Sequence, residues 1–270
     1  MITYLSSPKA FEGQVGLNQL NAIRSWQNTV SGAEVILFGS SPGVKEASRK
    51  LGVSHVEKID ANEYGTPLFN AMVKYASCHA KYDVQVYVNC DILFTTEIVG
   101  AVKRIEPSIF LMTGQRINLE KGADIHIETG TPADFLMEFL KGQFKDGRLK
   151  LQSLRSADYF IFRRGTLDEV PAVAVGRWYY ENVLIQFCLE RHIPVIDATF
   201  MLPALHQYHG YGHIRGGREE AEYGAEARRN RSFLKCPYAP SLIDATWQLR
   251  KGNLYRLSGR GDWLQSWETN

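Results

Sequence analysis

The segment Tyr87-Val88-Asn89-Cys90-Asp91-Ile92 is an apolar run that stops at an acid. Before it, Val84, Val86 and Val88 alternate with Gln85 and Tyr87, the period-two pattern of a strand. A carboxylate at the carboxyl end of such a strand sits where open α/β sheets bind their ligands. A hard carboxylate there, two residues after an asparagine, suits a divalent cation holding a diphosphate. Asp is also a favoured helix N-cap, so the tripeptide alone leaves cap and metal ligand open. The stretch Leu205-His206-Gln207-Tyr208-His209-Gly210-Tyr211-Gly212-His213 favours the ligand, because three of the seven histidines fall within eight residues. Its spacing matches neither HExxH nor a zinc finger, so a dedicated zinc site is not indicated. Any one of these histidines reads first as a polar loop residue. As a cluster, His206, His209 and His213 read as completing the shell of a cation held by Asp91, alongside diphosphate oxygens.

In Gly176-Arg177-Trp178-Tyr179-Tyr180-Glu181-Asn182, three aromatics precede an acid at the start of an apolar helix. A helix N-terminus favours the anionic form of Glu181. A general base for a sugar hydroxyl must be an accessible carboxylate within hydrogen-bond reach. Trp178 beside it offers a face for a pyranose ring. The bland reading is a first-turn Glu that only favours the helix. The loop Ser6-Ser7-Pro8-Lys9 follows the first strand, where a nucleotide would be met, and Lys9 can meet phosphate as a point charge. Neither GxxxxGK[ST] nor GxGxxG is present there, which speaks against a P-loop enzyme and a dinucleotide dehydrogenase. Gly39 opens the Gly39-Ser40-Ser41-Pro42-Gly43 stretch that stops the second strand. Arg116, Arg215 and Arg218 are further diphosphate candidates, although any one arginine is more often an ordinary surface residue.

These residues need a scaffold, and the first half of the chain supplies alternating strand and helix patterns. Strands are expected at Ile2 to Leu5, Glu34 to Phe38, Val53 to Ile59 and Val84 to Val88. Helices are expected at Leu17 to Thr29, Val44 to Leu51 with Gly52 as its stop, and from Thr66-Pro67 to about His79. In the first helix, Leu17, Leu20, Ile23 and Trp26 mark the expected buried face. This rhythm predicts a mostly parallel sheet with helices on both faces. The second half is mixed: strands at Ile109 to Thr113, Tyr159 to Phe162 and Val195 to Ala198, a helix from Tyr180 to Glu190, and Ile125 to Ile127 as a hairpin arm. From Arg215 to Arg231 the chain reads as a mobile loop or a solvated helix. The tail from Gly252 reads as a lid or an oligomer contact.

Composition bounds the function classes. The 270 residues are 44% hydrophobic and 22% charged, with a net charge of +2, an ordinary globular mix. The near balance argues against a dedicated nucleic-acid binder. The four cysteines form no CxxC pair, and Cys90 and Cys188 read as reduced core residues. No stretch approaches the ~20 apolar residues of a membrane span. The start shows no charged leader, apolar core or cleavage site, so no signal peptide is expected.

Taken together, SSPKAF, NAIRSW, VILFGS, GTPLF, YVNCDI, GRWYYENVLI, PVIDAT and HQYHGYGH resemble a family of bacterial and viral GT-A-type glycosyltransferases, in the nucleotide-diphospho-sugar transferase superfamily. The resemblance runs in order from about residue 2 to about residue 230. It implies a GT-A-like, Rossmann-type α/β fold with a small mixed C-terminal subregion. Residues 1–115 would form the nucleotide-binding half, 116–230 the acceptor and metal half, and 231–270 an extension. It implies a nucleotide-sugar donor, UDP-sugar favoured, a glycan or glycoconjugate acceptor, and Mn²⁺ or Mg²⁺. In that family a DxD-like motif ends a central strand and its last Asp binds the metal, which gives Asp91 that role. Asn89 departs from the pattern, since the first acid has become an amide, which can accept a hydrogen bond from ribose or reach the metal through water. The family's W-D-N acid becomes Glu181, the base of an inverting transfer, and a late histidine completes the metal sphere. Ser6, Ser7, Pro8, Lys9, Gly39, Asn89, Arg116, Trp178 and Arg215 would bind the donor. The expected setting is cytoplasmic or peripheral to a membrane, with room for a homo-oligomer and no role for nucleic acid. Two other classes remain: a sugar-phosphate nucleotidyltransferase, which the lack of a Gly-rich basic first loop disfavours, and a non-catalytic glycan- or nucleotide-binding module.

Overall fold

The computed structural model describes residues 1–120, 123, 125–128, 130–147, 149–209 and 217–257. Strand β1 (Ile2–Ser6) leads to α1 (Gly13–Thr29), β2 (Glu34–Phe38), α2 (Val44–Leu51), β3 (Ser54–Val56) and α3 (Phe69–His79). Next come β4 (Val84–Val88), β5 (Ile92–Phe94), α4 (Glu97–Lys103), β6 (Leu111–Thr113), β7 (Ile117–Asn118), α5 (Phe135–Lys145), β8 (Lys150–Leu151) and β9 (Tyr159–Arg163). The chain continues through α6 (Tyr180–Glu190), β10 (Val195–Asp197), β11 (Ala204–His206), α7 (Gly217–Tyr223), α8 (Ala225–Arg231), β12 (Trp247–Arg250) and β13 (Asn253–Arg256).

Among the described residues nine strands form one sheet, in the order β13-β12-β10-β6-β9-β4-β1-β2-β3. All but β9 and β13 run in one direction, so the expected α/β architecture with a mostly parallel sheet is present. Alternation along the strands fills two cores. Tyr4, Val35, Leu37, Val86 and Val88 face one, with Trp26 of α1. Leu5, Ile36, Phe38 and Tyr87 face the other, with Phe69 of α3 and Leu184 of α6. Both faces are therefore covered, as a parallel sheet requires.

Four very short strands make a second, mixed sheet, β5-β11-β7-β8. It draws on the chain from Ile92 to His206, whereas the sequence suggests a C-terminal subregion. Its free edge at β5 is closed by side chains of α1: the Trp26 indole donates to the Ile92 carbonyl at 2.8 Å, and Ser25 Oγ accepts from the Phe94 amide at 3.2 Å. Downstream of residue 230, β12 pairs with β10 in parallel and β13 folds back on it, so this part extends the main sheet. Residues 258–270 lie outside the described part.

Local departures from the sequence reading have polar causes. Leu17 and Leu20 are only half-buried, while Asn18, Gln19 and Asn21 are 1–3% exposed. The amides are buried because they bond to backbone outside α1. Asn21 Nδ2 donates to the Ile125 carbonyl (2.6 Å) and to Gln207 Oε1 (3.1 Å), and its Oδ1 accepts from the Ile127 amide (3.1 Å). Residues 125–127 thus have a side chain where a hairpin arm would have a strand, and they are not β structure. Helix α3 begins at Phe69, not at Pro67, because Pro67 and Leu68 are extended and bridge to Ala61 and Ala174. The 217–231 stretch forms two short helices, and Asn230 in α8 is fully buried, donating to the Ala174 and Trp178 carbonyls. No helix among the described residues is long and apolar enough to cross a membrane.

The α1 amides make the first testable point. Asn21→Ala would leave two backbone groups and one amide oxygen unpaired in a dry site. The expected cost is about 3 kcal/mol, a fall in Tm on the order of 10 °C, read by thermal unfolding. An unchanged Tm would show that these contacts do not hold the two segments.

Candidate active site

The carboxyl edge of the main sheet opens into a cleft of about 1030 Å³. Ser7, Pro8 and Lys9 line it after β1, Asn89, Cys90 and Asp91 after β4, and Arg116 after β6. Trp178 and Glu181 line it beside the start of α6, and His206, Tyr208 and His209 beside the end of β11.

Sheet register brings the metal candidates together. Strand β11 runs antiparallel to β5 with His206 opposite Ile92, and the Gln207 amide donates to the Asp91 carbonyl at 3.2 Å. His206 therefore stands beside Asp91 by strand pairing. His209 comes back over the same carboxylate, its Nε2 2.8 Å from Asp91 Oδ2. Asn18 and Gln207 secure that return: Gln207 Nε2 donates to the Asn18 carbonyl (2.8 Å), and Asn18 Nδ2 donates to the Tyr208 carbonyl (3.1 Å). One ligand atom from each of Asp91, His206 and His209 lies within 4.8 Å of the others. Burial pushes the Asp91 carboxyl up, but the His209 hydrogen bond and the neighbouring His206 and Lys9 outweigh it and hold it well below the usual carboxylate range. Burial pulls His206 down to about 4, so its imidazole is neutral at neutral pH, the form with a lone pair to give. Asp91 Oδ1 is buried and has no hydrogen-bond partner among the described residues. An orphaned oxygen on a carboxylate that two imidazoles approach fits a divalent cation. Lys9 Nζ is 3.6 Å from the other oxygen, Oδ2.

Asp158 is a site residue that the sequence reading missed. Strand β9 runs against β4, with Val88 opposite Tyr159, so its beginning lies at the same edge as the ends of its neighbours. That puts Asp158 beside Asn89: the Asn89 amide donates to the Asp158 carbonyl at 2.9 Å, and Asn89 Nδ2 to Asp158 Oδ1 at 2.8 Å. Arg116 Nη1 pairs with Asp158 Oδ2 at 2.6 Å, and its Nε donates to Asn118. Arg116, a diphosphate candidate by sequence, is thus engaged with an acid. The available signal was an acid just before an apolar run, the mirror image of Asp91 just after one. Just after β6, Gly114 leaves no room for a side chain, since a Cβ there would lie 2.5 Å from the Tyr159 hydroxyl and 2.9 Å from the Thr199 amide.

Glu181 sits in the first turn of α6. Its Oε2 is buried without a hydrogen-bond partner among the described residues. Burial pushes its carboxyl up to about 8; Asp158 adds to this, and its own backbone amide and Arg116 oppose it. Such a group holds its own proton at neutral pH and becomes available as a base as pH rises through about 8. The residue before the helix, Tyr179, has φ +72°, a left-handed conformation that is costly for a residue with a side chain. Helix α8 secures this turn. Glu226 accepts from Asn62 Nδ2 at 2.7 Å and pairs with Arg177 Nε at 2.6 Å, joining the 62–66 loop to the approach to α6. Trp178 is 37% exposed and lies against Tyr179 and Tyr223.

The Glu226 pair has a pH signature. Burial raises the Glu226 pKa, but hydrogen bonds from Asn62 and Thr66 and the Arg177 charge lower it below 4.5 overall. A depressed carboxylate stabilises the fold above its unfolded pKa, and that contribution is lost as pH falls through the folded value. Glu226→Gln is therefore expected to cost about 2 kcal/mol near neutral pH. The gap to wild type should shrink below about pH 4.5 in urea unfolding curves. A gap independent of pH would mean that the charge is not the stabilising element.

Other sequence candidates lie elsewhere. Ser6 is buried and its hydroxyl donates to the Val88 carbonyl at 2.6 Å, joining β1 to β4 instead of lining the cleft. Gly39 (φ +99°) is also outside the lining; its carbonyl accepts from His55, and a Cβ there would meet Ser7 Oγ at 3.7 Å. His213, Arg215 and the Arg218 side chain lie outside the described residues. Cys90 and Cys188 are buried free thiols.

No family model and no curated protein matches the sequence. Solved structures do resemble the fold. One is a mycobacterial protein with TM-score 0.49 and 14% identity, over 87% of this chain and 73% of that one. Another is glucosyl-3-phosphoglycerate synthase from Mycobacterium tuberculosis with Mn²⁺, UDP and phosphoglyceric acid (TM-score 0.48, 14% identity, 87% and 77%). A third is a mannosyltransferase from Pyrobaculum calidifontis with GDP-Man and Mn²⁺ (TM-score 0.46, 12% identity, 76% and 56%).

Proposed function

We propose that this chain is a GT-A-type glycosyltransferase that moves a sugar from a nucleotide-diphosphate donor, a UDP-sugar by preference, to a hydroxyl of a glycan acceptor. The observation that carries the reading is the Asp91–His206–His209 cluster, which shares one cleft with Glu181 at the carboxyl edge of the sheet. These three residues would hold Mn²⁺ or Mg²⁺, which when bound neutralises charge on a leaving diphosphate. Lys9 adds a positive charge from the first loop. The Ser7-Pro8-Lys9 loop and Asn89 present the donor. Trp178 offers an exposed ring against which the transferred or accepting sugar can lie.

Glu181 takes the proton of the acceptor hydroxyl as that oxygen bonds to the anomeric carbon. The bond from that carbon to the diphosphate oxygen breaks, and its electron pair leaves with the nucleoside diphosphate. Attack opposite the leaving group inverts the anomeric configuration. Asp158 raises the basicity of Glu181, and Arg116 keeps Asp158 from standing as an uncompensated buried charge.

Incubation with a panel of nucleotide-sugars, Mn²⁺ and simple glycosides separates the classes. Release of nucleoside diphosphate with a glycoside product is the expected result. Pyrophosphate-dependent cleavage of a nucleotide-sugar to nucleoside triphosphate and sugar phosphate would instead indicate a nucleotidyltransferase. Binding without turnover of any donor would indicate a binding module.

A further inference from the structure

Lys9 brings a positive charge to the same carboxylate that would hold the metal ion. Its ammonium is 3.6 Å from Asp91 Oδ2, the oxygen that His209 also approaches at 2.8 Å. Its backbone cannot retreat from that position. The Lys9 amide donates to Gln19 Oε1 at 2.7 Å, and Gln19 Nε2 donates back to the Lys9 carbonyl at 3.0 Å and to Ala10 at 3.3 Å. Gln19 itself is 1% exposed in α1. Any movement of the ammonium is therefore confined to its flexible four-carbon stem, which is one-third exposed and opens into the cleft.

We propose that Lys9 is an exchange residue: its ammonium neutralises Asp91 when no metal is bound and turns to the diphosphate when metal and donor enter. The proposal rests on the metal reading given above. A dication seated among Asp91, His206 and His209 would repel an ammonium at the same carboxylate. A diphosphate on that cation offers the displaced ammonium new oxygens within the same cleft. Exchange makes the metal alone a poor ligand and the metal with diphosphate a good one. Lys9 thereby couples loading of the cation to arrival of the donor.

Calorimetric titration of wild type, K9M and D91N tests this, with MnCl₂ alone and with inorganic pyrophosphate at saturating Mn²⁺. Removing the competing ammonium is expected to tighten K9M binding of Mn²⁺ alone by about fivefold, the weight of one partly exposed ion pair. Losing the phosphate contact is expected to weaken pyrophosphate binding by about tenfold. These opposite signs are the signature of exchange. A K9M chain that binds Mn²⁺ no more tightly than wild type, while D91N has lost Mn²⁺, overturns the exchange and leaves the metal site standing. Pyrophosphate affinity unchanged in K9M also overturns it. D91N binding Mn²⁺ as wild type does would overturn the metal site, and the exchange with it.

Discussion

Asp91→Asn is expected to lower metal-dependent turnover by on the order of 10³-fold or more, since a bound cation supplies several kcal/mol of charge stabilisation. The fold should survive the change. The backbone carbonyl of Asp91, not its side chain, carries the link to Gln207, and β5 behind it is pinned by Trp26 and Ser25. The substitution keeps the shape but removes the anion that His209 and Lys9 approach. Initial rates at several Mn²⁺ concentrations, with a thermal unfolding curve as control, are the measurement. Full activity in a folded D91N protein would remove Asp91 from the site.

Glu181→Gln is expected to reduce kcat on the order of 10²–10⁴-fold, the usual weight of a general base, with donor affinity largely kept. A pH profile adds a sharper criterion. With its carboxyl raised to about 8, wild-type activity should climb as pH rises through that value, and E181Q should lack the step. Stability runs the other way. The folded pKa lies above the ordinary 4.5, so the contribution of the protonated group is full below 4.5 and is lost as pH rises through about 8. The neutral amide escapes that loss, so E181Q should be the more stable protein above pH 8 in urea unfolding. Lost donor affinity with unchanged kcat would make Glu181 a binding residue instead.

Much of the scaffold was legible because its elements are long enough to show a period. The alternation of Val84, Val86 and Val88 marks β4, and the apolar run after Tyr179 marks α6 over the residues it occupies. What could not be read depends on pairing between distant parts of the chain. Asp158 reaches the site only because β9 is antiparallel, and nothing local to the residue reveals strand direction. Strands β5, β7, β8 and β11 have two or three residues each, too few for a period, yet their register sets His206 beside Asp91. Asn18, Gln19 and Asn21 look like a solvated helix face by polarity. They are buried because the Lys9 loop, residues 125–127 and the Gln207–Tyr208 segment satisfy their amides. The same residues explain why Leu17 and Leu20, the more obvious core candidates, remain partly exposed.

The central claim is that Asp91 and the neighbouring histidines seat a cation that carries the donor diphosphate. Its most direct test is a crystal soaked with UDP and MnCl₂, with anomalous data collected at the manganese edge. The account predicts one strong anomalous peak in coordination with Asp91 and at least one of His206 and His209, with the diphosphate on the side of Lys9. A well-occupied nucleotide with no manganese at Asp91, or manganese held only by residues outside this cluster, would contradict it.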